Sequence, residues 1–228
     1  MTGTVRVVTA PAAYPVTLAQ AKEWCRVDDD DASQDATLVM LIMGITNHAE
    51  NVLTGRAYVE RTLELSFDYA SYCMPTSYQY ASINNNRWPG YQFWPGIQLP
   101  FPPLLAVESI TYTDVHGDPQ TMDPVTYEYD QAEEPGLVRP LFGSYWPRVG
   151  RVFNAFRIRY RAGYRPIGSP TDLTDNSYLP GQLRVWMNAR ICTLYDNRAQ
   201  WAEGRLLQIP RDFVDALLDD LVVGTRLF

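Results

Sequence analysis

The sequence predicts an α+β fold. Two helices near the N-terminus and two near the C-terminus form a four-helix assembly, with a mostly antiparallel β-meander and a long aromatic-rich insertion loop between them. Three observations carry this expectation. Apolar residues recur at helical spacing over 34–54 and 180–198, and they alternate with polar ones in short runs over 57–67 and 107–161. Tyr, Trp, Asn, Pro and Gly crowd the stretch 69–103. At 228 residues and 46% hydrophobic content, residues 1–228 read as a single domain with a real core.

Thr17 and Gln20 stand in the capping-box relation behind Pro15, so a first helix is expected over about 17–27. Asp28, Asp29, Asp30, Asp31 and Asp35 then sit before or within the first turn of a second helix over 34–54. Carboxylates there complement the positive end of the helix dipole. Along that helix Leu38, Leu41, Ile42, Ile45, Ala49, Val52 and Leu53 form an apolar stripe, and Gly55 is placed to end it.

Tyr58, Leu63, Leu65 and Phe67 alternate with polar residues within 57–67, which predicts a strand. Further strands are expected at 107–112, 126–129, 136–139 and 155–161, with a turn at His116-Gly117-Asp118-Pro119. A third helix opens at Pro180, read as its first residue, and runs to about 198 with Leu183, Trp186, Met187, Ile191 and Leu194 on one face. The fourth, over 210–222, turns Phe213, Leu217 and Leu221 inward.

Composition excludes several functions. The net charge of −7 argues against tight wrapping of nucleic acid, because sequence-independent affinity comes from Lys and Arg on phosphates. An acidic wall would still let DNA slide past. Lys22 is the only lysine, and the bias toward arginine, whose planar fork suits interface ion pairs, hints at much shared surface. Cys25, Cys73 and Cys192 are odd in number and far apart, so no disulfide framework or CxxC ligand pair is expected, which fits cytoplasmic synthesis. No apolar run approaches the roughly 20 residues needed to span a bilayer, and Met1-Thr2-Gly3-Thr4-Val5-Arg6 lacks a signal-peptide core.

Catalytic motifs are lacking as well. The sole lysine follows Ala21, which excludes a P-loop, and there is no HExxH or GxSxG. His48 and His116 are isolated. The acidic run lacks the central glycine and closing glutamate of a calcium-binding EF-hand loop. A dispersed pair of hydrolytic carboxylates stays open, since any two acids can meet in space. The expectation is a protein that is not an enzyme and needs no metal or cofactor.

Two constellations survive. Arg157, Arg159 and Arg161 alternate along one strand and so share a face, with Arg165 just beyond. That face is either solvated, paired with acids of a neighbouring chain, or in contact with DNA phosphates. The second is the aromatic insertion, with Trp88, Tyr91, Phe93 and Trp94. It either packs on itself over the sheet or contacts a neighbouring protein, since Tyr and Trp serve as binding anchors. A carbohydrate-binding or adhesion module using the Tyr/Trp-rich insertion is the alternative reading.

Along the chain come Pro15-Val16-Thr17-Leu18-Ala19-Gln20-Ala21-Lys22, the Asp-rich break, and the helix ending Leu53-Thr54-Gly55-Arg56. Leu99-Pro100-Phe101-Pro102-Pro103-Leu104 then leads into Val107-Glu108-Ser109-Ile110-Thr111-Tyr112, followed by Arg159-Tyr160-Arg161-Ala162-Gly163-Tyr164 and the closing helices. This order of motifs resembles the head–tail connector (adaptor, or head-completion) proteins of tailed double-stranded DNA phages. The insertion at about 69–98 departs from the family pattern.

The resemblance implies a virion protein, made in the host cytoplasm and located at the head–tail interface. It would form a homo-oligomeric ring of about twelve copies beneath the portal protein. Double-stranded DNA would pass through the centre without sequence-specific binding, and a tail-side stopper, tail-terminator or tail-tube protein would dock below. Asp28, Asp29, Asp30 and Asp31 are candidates for one side of the subunit contact, and Arg157, Arg159, Arg161 and Arg165 for the other. Gly224, Thr225, Arg226, Leu227 and Phe228 are candidates for an arm into the portal. No membrane partner is implied.

Overall fold

A computed structural model describes residues 3–68, 96–165, 176–196 and 216–223. The chain is α+β and divides into two compact units: residues 1–10 with 61–162, and residues 11–60 with 163–228.

The first unit is built of antiparallel strands. Its main sheet runs in the order β1 (Thr4–Thr9), β2 (Arg61–Phe67), β8 (Phe156–Ala162), β4 (Leu104–Thr113), β5 (Pro119–Thr121). A smaller sheet has the order β3 (Ile97–Gln98), β7 (Leu137–Pro140), β6 (Tyr127–Asp130). The expected meander is therefore corrected: β8, last in the chain, lies between β2 and β4. Phe156, Ile158, Tyr160 and Ala162 on β8 are all fully buried. As the terminal strand of a meander, β8 would instead have lain on a sheet edge, with one row of backbone groups unpaired. Two register shifts in β4, at Leu104/Ala106 and Val107/Ser109, insert bulges that bend this long strand.

Three strands were not foreseen. In β1, Val5 and Val7 face Leu65 and Leu63 across the ladder. β5 begins inside the expected turn, where the Asp114 carboxylate accepts from the His116, Asp118 and Gln120 nitrogens at 2.8, 3.0 and 3.2 Å. β3 falls at the end of the stretch read as an insertion loop, and Ile97 and Leu99 there are buried. Residues 69–95, with Trp88, Tyr91, Phe93 and Trp94, lie outside the described residues.

The second unit is helical. Helix α1 (Leu18–Cys25) opens with the expected capping box: Gln20 N donates to Thr17 Oγ1 at 3.3 Å and Thr17 N to Gln20 Oε1 at 3.1 Å. Helix α2 (Asp35–His48) continues as a π-helical segment, Ala49–Thr54, and Gly55 closes it in the left-handed conformation at φ 68°. Leu38, Ile42, Ile45 and Ala49 face the core as expected, but Val52 is exposed. The wider π turn advances the helix phase, so a residue placed by 3.6-residue spacing rotates away from the core.

Helix α3 (Gly181–Asp196) starts one residue after Pro180, whose carbonyl accepts from Leu183 N at 3.1 Å. Leu183, Trp186, Met187 and Ile191 are buried, whereas Leu194, in the last described turn, is half-exposed. Within the expected fourth helix, Ala216–Leu221 is a 3₁₀ helix and residues 210–215, with Phe213, lie outside the described residues. Its pitch of 3.0 residues sets Leu218 and Leu221 on the buried face, and Leu217, expected inward beside Leu221, is partly buried against the same core.

Candidate interface

The arginine face of the main sheet is built by alternation. With Phe156, Ile158 and Tyr160 pinned inward, Arg157, Arg159 and Arg161 share the opposite side of β8. Register sets Glu64 of β2 beside Arg159 on one flank and Arg6 of β1 on the other. Glu64 receives Arg6 Nη2 at 2.7 Å and Arg159 Nη2 at 3.1 Å, so one carboxylate bridges three strands. Arg161 lies 3.5 Å from Glu108, and Arg157 Nε donates to Asn154 O at 3.2 Å. In the helical unit Arg165 lies 3.7 Å from Glu60. Arg159 and Arg161 thus engage acids of their own chain, and Arg157 is the exposed one of the three.

The acidic run belongs to the helical unit and folds around the single lysine. Lys22, though nearly buried, donates to Asp29 O and Asp31 O at 3.0 Å and pairs with Asp35 Oδ1 at 2.6 Å. Asp31 accepts from Ser33 N at 2.9 Å and caps the 3₁₀ turn Ala32–Gln34, and this hydrogen bonding holds its carboxyl below the usual range. The Asp28, Asp29, Asp30 and Asp31 side chains all remain exposed.

The Leu53-Thr54-Gly55-Arg56 motif proves to be a buried polar junction. Tyr58 N donates to Glu50 Oε1 at 2.8 Å, Thr54 Oγ1 meets Tyr58 OH at 2.8 Å, and Arg56 Nε donates to Leu221 O at 2.5 Å. Val223 N donates to Thr54 O at 2.8 Å. Burial pushes the Tyr58 phenol well above its ordinary value. The motif ties the end of α2 to the chain leading toward 224–228, residues that themselves lie outside the described ones.

Two surfaces escaped the sequence reading. Between β7 and β8 the loop 141–155 raises Phe142 (103% exposed), Phe153 (85%) and Tyr145 (81%) into solvent, while Trp146 packs edge-on against Phe156 at 5.4 Å. The signal was the run Leu141-Phe142-Gly143-Ser144-Tyr145-Trp146, apolar without strand alternation. On α2, Val39, Met40 and Met43 face outward at helical spacing. A shallow cleft of about 420 Å³ between α1 and α3 is lined by Trp24, Arg184 and Asn188 among others. The described residues hold no cluster of three or more His, Cys, Asp or Glu able to bind a metal ion. Among them no helix is long and apolar enough to cross a membrane.

The class defined by these features is an α+β protein of two antiparallel sheets and a helical unit. No protein-family model matches the chain, and no curated protein matches it by sequence. Solved structures share its fold. A chain in the virion of a native gene transfer agent (GTA) particle is similar at a TM-score of 0.66 and 16% identity, over 96% of this chain and 95% of that one. A chain in the neck of an empty GTA particle computed with C6 symmetry is similar at 0.65 and 17%, with the same coverage. A chain in the neck of a native GTA particle computed with C12 symmetry is similar at 0.60 and 19%, again over 96% and 95%.

Proposed function

We propose that this chain is a structural subunit of a phage-like virion, built into the neck as a ring that joins the DNA-filled head to the tail. The observation that supports this most is the likeness, over 96% of the chain, to chains of particle necks, one of them computed with C12 symmetry. The motif order shared with the connector family points the same way, and no catalytic role is assigned.

A closed ring is made by head-to-tail contacts, so each subunit presents two different complementary faces. In this reading the exposed carboxylates of Asp28, Asp29, Asp30 and Asp31 belong to one face. Arg157 and the Phe142/Tyr145/Phe153 loop belong to the other, since a surface of exposed aromatic side chains is costly to leave in water. The ring holds about twelve copies, by the resemblance. The net charge of −7 keeps its wall from gripping DNA phosphates in transit. The segment Gly224-Thr225-Arg226-Leu227-Phe228 reaches the portal protein, and the opposite side of the ring receives the stopper, terminator or tube protein. Trp88, Tyr91, Phe93 and Trp94 supply a contact to a tail or neighbouring protein.

The test is to produce particles without this chain. Filled heads that lack tails, restored to tailed particles by the intact chain, are expected. Tailed particles at normal yield without it would contradict the reading. Removing residues 224–228 should abolish portal docking in a chain that still folds, and a truncated chain that docks would refute the arm's role.

A further inference from the structure

Cys25 ends α1 and Cys192 lies in the second half of α3, 167 positions apart in sequence, yet their Sγ atoms stand 2.6 Å from one another. Two helices deliver these sulfurs to one point, and the helices are held by a shared core that includes Ala21, Leu183, Met187 and Ile191. Both thiols are free and half-buried, so a small oxidant can reach them.

We propose that Cys25 and Cys192 form a redox modification site that closes to an intrachain disulfide with a small-molecule disulfide oxidant and reopens with thiol reductant. Closure staples α1 to α3. In the first step the thiolate of one cysteine attacks one sulfur of the oxidant R–S–S–R, forming a mixed disulfide and releasing R–S⁻, which takes up the proton that cysteine lost. In the second, the thiolate of the other cysteine attacks the protein-bound sulfur of the mixed disulfide and releases the second R–S⁻, which is protonated in turn. The protein loses two electrons and two protons, and the oxidant becomes two thiols.

Burial raises both thiols, Cys25 to about 12, and the charge of Asp196 adds to the rise at each. Cys73 stands outside the described residues and serves as the internal control.

The full-length chain, first reduced, is incubated with excess glutathione disulfide, alkylated under denaturing conditions and digested with trypsin. The expected product is peptide 23–26 joined to peptide 191–198, with neither cysteine carrying the alkyl label, and the link disappears on reduction. The oxidised chain should also melt above the reduced one. The Cys25→Ala/Cys192→Ala double variant should show no such difference. Separate glutathione adducts on the two cysteines, alkylation of both, or a link through Cys73 would overturn the proposal. The wild-type peptide map decides this even where a variant folds poorly.

Discussion

Replacing Glu64 with Gln keeps the side-chain shape and removes the charge that bridges Arg6, Glu64 and Arg159. The Glu64 side chain is 6% exposed, so its carboxylate is held by the two arginines at 2.7 and 3.1 Å and has little access to water. Removing one partner of a fully buried pair costs about 3–5 kcal/mol, because the other charge is stranded. Here the arginine side chains are 64% and 43% exposed and recover hydration when released. The cost is therefore nearer about 1–2 kcal/mol, partway toward the value of a surface pair. For a chain of this size each kcal/mol shifts the melting temperature by about 2–4 °C, so Glu64→Gln should melt about 2–8 °C below wild type by calorimetry. Arg159→Ala combined with Glu64→Gln should cost less than the two separate effects added, because they remove the same interaction. A Glu64→Gln chain melting within about 1 °C of wild type would refute the bridge as a stabilising element.

Other outcomes follow from single contacts. Thr17→Ala removes the acceptor for Gln20 N and should lower unfolding stability by about 1 kcal/mol in urea titration. Leu218→Ala should cost about 2–5 kcal/mol by the same assay and Leu217→Ala clearly less; the reverse order would favour an α-helical segment over the 3₁₀ one. Hydrogen bonds from the Asp118 and His116 backbone hold the Asp114 carboxyl below its ordinary 3.8. A lowered folded-state value means stability present above 3.8 and lost as pH falls through the folded value. The melting difference between wild type and Asp114→Asn should therefore shrink as pH drops below about 4. Replacing Phe142, Tyr145 and Phe153 with Ser should leave the melting temperature near wild type while reducing assembly, read by sedimentation of the chain with its particle partners.

Features decided by a few neighbouring residues could be read from the sequence. The capping box at Thr17 and Gln20, the stripe Leu38–Ile42–Ile45–Ala49, the closing Gly55 and the shared face of Arg157, Arg159 and Arg161 all express backbone geometry within a few positions. What escaped depends on distant pairing or on a change of helical pitch. No local signal sets β8 between β2 and β4, because its ladder partners lie about a hundred and about fifty residues upstream. Val52 was misassigned and Leu218 overlooked because the π and 3₁₀ segments depart from 3.6 residues per turn. The meeting of Cys25 with Cys192 and of Glu64 with Arg159 is a property of tertiary packing alone. The acids and arginines first set on opposite sides of a subunit contact are partly engaged within the chain, Lys22 in the acidic loop and Glu64 under the arginine face.

Cryo-electron microscopy of the intact particle, with the neck reconstructed under cyclic symmetry, tests whether the chain forms a ring in the neck of a phage-like particle. A closed ring of this chain between head and tail is expected, its two sheets and helical unit traceable in each subunit and its centre open to DNA. Particles whose neck is built without the chain, or in which it decorates the capsid surface or the tail fibres, would contradict it.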